Sequence, residues 1–155
     1  MSESEGSPVY RTIVVGTDGS RSSLRAVERA AEVARDTAAR LVIACAYEGA
    51  RDVDRVVDRL GDDVGYQVVG ASPAEETVRT ASEVALKAGA TDVRTVVAEG
   101  QPVSVLRRVV RDYEADLLVV GNRGLNTLAG RVLGSVPGEA ARKSRVDILI
   151  VHTVG

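Results

Sequence analysis

The sequence predicts an α/β fold, a doubly wound sheet of five parallel strands in the order 3-2-1-4-5. Short apolar runs alternate along the chain with stretches of helical periodicity. The apolar residues are mostly valine, alanine and leucine, with four tyrosines and no tryptophan or phenylalanine. This composition suits β-branched strands that pack against alanine-rich helices.

The first two strands and the helix between them have the clearest patterns. Residues 10–17 (YRTIVVGT) form an apolar run that ends at the turn sequence Asp18-Gly19-Ser20. Residues 41–47 (LVIACAY) are apolar almost throughout, which is typical of a strand covered on both faces. The helix between them is expected to bury one stripe, which consists of Leu24, Val27, Ala30, Ala31, Ala34 and Ala38.

Residues 48–71 are a long connection for a compact domain. Val53, Val56, Val57 and Leu60 recur there at helical spacing, which predicts a short amphipathic helix. We assign the aspartates beside them to a solvated face, because their spacing matches no EF-hand loop.

The second half of the chain continues the alternation. Ser72-Pro73-Ala74-Glu75 predicts the start of a second helix, with Ser72 as its cap and Pro73 at its first position, and Gly89 is expected to end it. The remaining elements are a strand at 93–98, a helix from Pro102, a strand at 116–121, a short helix from Pro137 and a strand from Val146 to His152.

Length and composition suit a single domain at residues 9–155, preceded by a small, polar, acidic tail at residues 1–8 that we expect to be disordered. The net charge of −2 and the few aromatic side chains argue against a nucleic-acid partner. The sequence has no signal peptide or apolar segment of membrane length, and its one cysteine, Cys45, cannot form an internal disulfide. We therefore expect a cytoplasmic protein without a membrane partner.

A glycine-rich segment with the spacing G-x2-G-x9-G-S follows the fourth strand, at Gly121, Gly124, Gly134 and Ser135. Glycine lets backbone N–H groups approach a phosphate without a Cβ in the way. In doubly wound sheets, ligands bind beyond the carboxyl ends of the strands, where the strand order reverses. That point lies between the first and fourth strands here, so the glycine segment and Asp18 are expected to meet at one crevice.

On these residues the chain resembles the universal stress protein family. The resemblance runs from Ile13 to His152 and rests on the Asp18-Gly19-Ser20 turn, the glycine spacing and the apolar last strand. It implies a flavodoxin-like or Rossmann-like fold and an adenosine nucleotide site. The candidate nucleotide contacts are Gly16, Thr17, Asp18, Val42, Ile43, Gly121, Asn122, Arg123, Gly124, Gly134, Ser135 and Val136.

Within this set, Val42 and Ile43 are matched to the end of the second strand, where family members hold adenine. Asp18 is the candidate Mg²⁺ ligand, because a carboxylate beside polyphosphate is repulsive unless a cation bridges the two. We expect ATP as the ligand of a stress or signalling protein. AMP and cyclic AMP stay open alternatives. The resemblance implies that some family members prefer cyclic AMP, and the pairs Gly16-Thr17 and Asn122-Arg123 leave this preference open here. A nucleotide-free dimeric interaction module is a further alternative.

Several enzyme and carrier classes are disfavoured. The phosphate-binding lysine motif of P-loop enzymes is absent from the sequence, and no residue pattern resembles a phosphoryl-transfer base with an arginine finger, so we expect binding rather than catalysis. Weak ATP hydrolysis or autophosphorylation stays an open alternative that the resemblance implies. A phosphoacceptor domain would need a lysine where this chain has His152-Thr153. A flavin carrier would stack its ring on aromatic side chains. His152 has no nucleophile signature nearby, which leaves a catalytic triad unsupported.

The last strand is predicted at an edge of the sheet. An exposed apolar edge is a pairing hazard that proteins usually cover. The resemblance implies that this strand pairs with its copy in a second subunit. We therefore expect a homodimer formed through Val146 to His152.

Overall fold

The computed structural model describes residues 9–48, 71–122 and 146–153. In these ranges the elements are β1 (Thr12–Gly16), α1 (Arg21–Thr37), β2 (Arg40–Tyr47), α2 (Ala71–Lys87), β3 (Val93–Glu99), α3 (Pro102–Asp112), β4 (Leu117–Gly121) and β5 (Asp147–Val151). The five strands form one parallel sheet in the order β3-β2-β1-β4-β5, which confirms the predicted fold class and strand order. The predicted tail, the predicted short helix that contains Val53 to Leu60 and the predicted helix after Pro137 lie outside the described residues.

Helices cover both faces of the sheet. On one face α1 and α2 pack over strand residues that include Ile13, Ile43 and Val119. On the other face α3 packs over Val14, Val42 and their neighbours. Because successive strand residues point to opposite faces, two buried faces require strands that are apolar throughout.

Small side chains let α1 lie close to the sheet; its buried residues are Ala26, Val27, Ala30, Ala31 and Ala34. The prediction that Ala38 continues this stripe is wrong. Ala38 is the exposed cap residue of α1, with a left-handed φ of 59°, and Ala39 is buried in its place. The stripe ends there because a left-handed residue turns the chain out of the helix.

The boundaries of α2 differ in part from the prediction. The helix begins at Ala71, so Ser72 and Pro73 both lie inside its first turn and Ser72 is not the cap. Proline is tolerated at this place because the first N–H groups of a helix have no intrahelical acceptor. Gly89 lies just beyond the helix end, as predicted, with a φ of 113° that favours glycine.

The edges of the described sheet are β3 and β5. In β5, Val151 is buried and Ile150 is 43% exposed. No helix in the described ranges is both long enough and apolar enough to cross a membrane.

Candidate functional site

The carboxyl ends of β1 and β4 lie side by side, because the two strands are parallel neighbours. The strand order reverses between them, and α1 and α3 cover opposite faces of the sheet at this point. We call residues 16–23 the β1 wall, and Gly121, Asn122 and Thr153 the β4 wall. The crevice between these walls is the candidate site, in the position where doubly wound sheets bind ligands.

The β1 wall is organised around Thr17, which is 7% exposed. Its Oγ1 lies 2.9 Å from Ser23 Oγ and accepts the backbone N–H of Gly19 at 3.1 Å. Its own backbone N–H donates to the carbonyl of Ala44 in β2. The turn after β1 is therefore tied both to the start of α1 and to the neighbouring strand.

The carboxylate of Asp18 is directed to the start of α1, where its Oδ1 accepts the backbone N–H of Ser20 at 2.9 Å. Burial by itself would raise the pKa of this carboxyl, but hydrogen bonds with Ser20 and Ser23 outweigh burial and lower the pKa below its ordinary value. Asp18 is thus an anion at neutral pH. A Mg²⁺ ion that used Oδ1 would compete with the N–H of Ser20, and Asp18 as a metal ligand stays a prediction. No cluster of three or more metal-ligating side chains occurs in the described part of the chain.

The fold itself favours glycine at two positions of the β1 wall, Gly16 and Gly19. A Cβ at Gly16 would lie 3.1 Å from Cδ1 of Leu106 in α3. Gly19 has a φ of 85°, a left-handed conformation that costs side-chain-bearing residues free energy. Both positions therefore favour glycine before any ligand is considered.

The β4 wall joins residues that are distant in sequence. Oδ1 of Asn122 accepts the backbone N–H of Thr153 at 2.9 Å and its hydroxyl at 2.7 Å. The Thr153 hydroxyl oxygen in turn accepts a hydrogen bond from Ser22 Oγ, in the first turn of α1, at 2.6 Å. The Thr153 methyl group lies over Gly121, where a Cβ would approach it to 3.1 Å. The packing of Thr153 thus favours glycine at the first position of the motif.

Val42 and Ile43 lie away from the crevice. They pair with Val14 and Val15 in β1, and both side chains are 0% exposed. The prediction that they form the end of the second strand is wrong, because β2 continues to Tyr47. The apolar run itself extends to Tyr47, and only the resemblance matched the adenine contacts to Val42 and Ile43.

The residues that occupy the end of β2 are Ala46 and Tyr47, and the carbonyl of Tyr47 accepts the backbone N–H of Gly100. Sequence reasoning missed them as candidate contacts, although the end of the apolar run at Tyr47 was a usable signal. The predicted contacts at Arg123, Gly124, Gly134, Ser135 and Val136 lie outside the described residues and stay predictions.

Proteins of one family resemble this chain over most of its length. The model of the universal stress protein family matches residues 9–152. The chain is 49% identical over 144 residues to the universal stress protein Rv1636 of Mycobacterium tuberculosis H37Rv, covering 93% of this chain and 97% of that protein. A putative universal stress protein of Staphylococcus aureus is 30% identical over 145 residues, covering 93% of this chain and 85% of that protein.

Solved structures give the same result. A universal stress protein crystallised in complex with cAMP is 45% identical, with a TM-score of 0.66 and coverage of 96% of this chain and 100% of that chain. The protein in the crystal structure of Rv1636 is 45% identical in sequence, with a TM-score of 0.56 and coverage of 94% of this chain and 97% of that chain. The chain belongs to the universal stress protein family.

Proposed function

We propose that this universal stress protein binds an adenosine nucleotide in the crevice between the β1 and β4 walls, and that cyclic AMP is its preferred ligand. One observation carries the proposal: a 45% identical universal stress protein whose structure aligns with 96% of this chain was crystallised with cAMP. ATP, which the sequence favoured, becomes the second candidate.

The charge of the β1 wall supports this order of preference. Asp18 is held as an anion by Ser20 at the mouth of the crevice. Cyclic AMP brings a single negative charge, whereas the triphosphate of ATP brings several, so repulsion by Asp18 is larger for ATP. A bridging Mg²⁺ would offset that repulsion, but an ion that used Oδ1 would compete with the Ser20 N–H.

Titration calorimetry with cyclic AMP and with ATP, in EDTA and in Mg²⁺, tests the proposal. The matched variant is Asp18→Asn, which keeps an oxygen for the Ser20 N–H and removes the charge. In EDTA we expect the cyclic AMP affinity of this variant to stay within about threefold of wild type, and its ATP affinity to rise about tenfold. Tighter binding of ATP than of cyclic AMP by the wild-type protein in EDTA would refute the preference.

We also infer that the bound nucleotide is held and not turned over. Asp18, the carboxylate of the described crevice, is engaged by the N–H of Ser20 and has a lowered pKa, which makes it a poor general base at neutral pH. Product analysis after incubation with cyclic AMP or ATP should show no AMP or phosphate above the rate without protein. Rapid hydrolysis that Asp18→Asn abolishes would overturn this inference.

A homodimer through β5 completes the proposal. Within the described ranges β5 pairs with β4 alone, and Ile150 projects from it 43% exposed. We expect a dimer in sedimentation experiments, and an Ile150→Lys variant that dissociates about 100-fold more readily. Leu86→Lys, at a 53% exposed position of α2, is the matched control that should stay dimeric. A wild-type monomer at micromolar concentration would refute the dimer.

A further inference from the structure

We propose that Thr153, held by Ser22, is a positioning residue that orients the side chain of Asn122 as a hydrogen-bond donor to the phosphate of the nucleotide. This inference rests on the proposed function, because it concerns the same crevice. The residues that carry it come from three elements: the start of α1, the end of β4 and the residues that follow β5.

The direction of each hydrogen bond can be assigned without ambiguity. A backbone N–H can only donate, so the Asn122 amide atom 2.9 Å from the Thr153 nitrogen must be the oxygen. An amide oxygen cannot donate, so the Thr153 hydroxyl must donate its one hydrogen to the same Asn122 oxygen at 2.7 Å. The Thr153 oxygen must then accept the hydrogen of Ser22 Oγ at 2.6 Å. The chain of donation therefore runs from Ser22 to Thr153 to Asn122.

This assignment fixes the opposite side of the Asn122 amide as the NH₂ group. Two converging bonds on one oxygen hold the amide in a single orientation, so its two N–H donors are presented in a fixed direction. Asn122 directly follows the last residue of β4, at the crevice, and Ser22 lies in the first turn of α1, where the helix end is positive. An anion is the ligand that such donors suit.

Thr153 can serve this role because Gly121 has no side chain. A Cβ at Gly121 would press on the Thr153 methyl group at 3.1 Å and displace the residue that holds the amide. A donor that is oriented before binding loses less conformational freedom when the ligand binds. Orientation of the Asn122 amide by Thr153 is therefore expected to raise the affinity for the nucleotide.

The first arm of the test measures cyclic AMP affinity by calorimetry. Asn122→Ala removes the donor itself, and we expect about a tenfold loss of affinity. Thr153→Val removes the hydroxyl but keeps the shape, and we expect about a fivefold loss. Thr153→Ser keeps the hydroxyl and is the matched control, with affinity within about twofold of wild type.

The second arm is a double-mutant cycle, which separates positioning from a general structural role. If Thr153 acts through Asn122, Thr153→Val has no further effect in the Asn122→Ala background. If Thr153 only stabilises the fold, its loss lowers affinity equally in both backgrounds, and the proposal is overturned. Should Thr153→Val fail to fold, as judged by circular dichroism, Ser22→Ala replaces it in the cycle with an expected loss of about threefold.

The outcomes distinguish the two proposals. If the wild-type protein binds cyclic AMP but the effects of Thr153→Val and Asn122→Ala on affinity are additive, the positioning role is overturned and nucleotide binding stands. Equal losses of affinity in Thr153→Ser and Thr153→Val lead to the same conclusion. A wild-type protein that shows no heat with cyclic AMP or with ATP refutes the proposed function and this inference with it.

Discussion

The two walls of the crevice differ in the sequence separation of the side-chain hydrogen bonds that stabilise them. Within the β1 wall, the side-chain hydrogen bonds between its own residues span at most six positions, from Thr17 to Ser23. In the β4 wall they join Asn122 to Thr153, 31 positions apart. One further bond, from Ser22 of the β1 wall to Thr153, spans 131 positions and ties the two walls together. One wall is a local turn with a helix cap, and the other forms only when β4, β5 and α1 have been brought together.

The difference has a consequence for robustness. The hydroxyls of Ser20 and Ser23 share the contacts of the β1 wall, so the loss of one bond leaves others in place. The bonds of the β4 wall, and the Ser22 bond that ties it to the β1 wall, all converge on Thr153. We therefore expect single substitutions to cost more in the β4 wall than in the β1 wall.

The largest effect is expected for Gly121→Ala. The new methyl would contact Thr153 Cγ2 at 3.1 Å, and displacement of Thr153 would break its bonds to Asn122, so the free energy of unfolding in urea should fall by about 2 kcal/mol. Thr153→Ser removes the opposing methyl and should restore most of the loss in the double variant. Absence of rescue would show that another contact requires the glycine.

Gly16→Ala is the counterpart of that substitution in the β1 wall. Its new methyl would meet the flexible end of Leu106, which can move aside, so we expect a loss of less than about 1 kcal/mol. The same urea titration measures it. A loss equal to that of Gly121→Ala would remove the contrast between the walls.

A smaller effect than that of Gly121→Ala is expected for Thr17→Val. The substitution keeps the shape of this buried residue and removes the hydroxyl that accepts the N–H of Gly19 and contacts Ser23. We expect a loss of about 1 to 1.5 kcal/mol in the free energy of unfolding, with nearly full stability in the control Thr17→Ser. A loss larger than that of Gly121→Ala would reverse the order of the two walls.

The smallest effect is expected from the titration of Asp18. Its pKa is lowered in the folded protein, so its contribution to stability is fully present above its unfolded pKa and is lost as the pH falls through its folded pKa, below about pH 4. Urea midpoints measured from about pH 6 to about pH 2.5 should therefore fall less steeply in Asp18→Asn than in wild type. Identical profiles would show that the Ser20 contact does not favour the charged form.

Other carboxylates titrate in the same range and serve as the background of that comparison. The pKa of Asp92 is lowered by its hydrogen bonds with Arg94 and Arg40 at the amino end of the sheet. This contribution is present in both proteins, so the difference between the two profiles isolates Asp18.

Two sequence-based predictions are wrong, and in each case the backbone geometry of the fold shows why. The match of Val42 and Ile43 to a strand end rests on the resemblance alone, although the apolar run extends to Tyr47, and the pairing of these residues with Val14 and Val15 shows them to be interior. Ala38 was placed on the buried stripe because alanine fits helical spacing anywhere, and only its left-handed backbone shows that the helix has ended.

The sequence by itself determined the layered α/β class and the turn at Asp18-Gly19-Ser20, because periodicity and capping depend on residues close together in the chain. Only the tertiary structure decided the partner of Gly121 and the orientation of the Asn122 amide. Thr153 reaches both only after β5 has paired with β4. Asn122 and Thr153 are 31 positions apart in the chain, so the contact between them leaves no periodic or local pattern in the sequence.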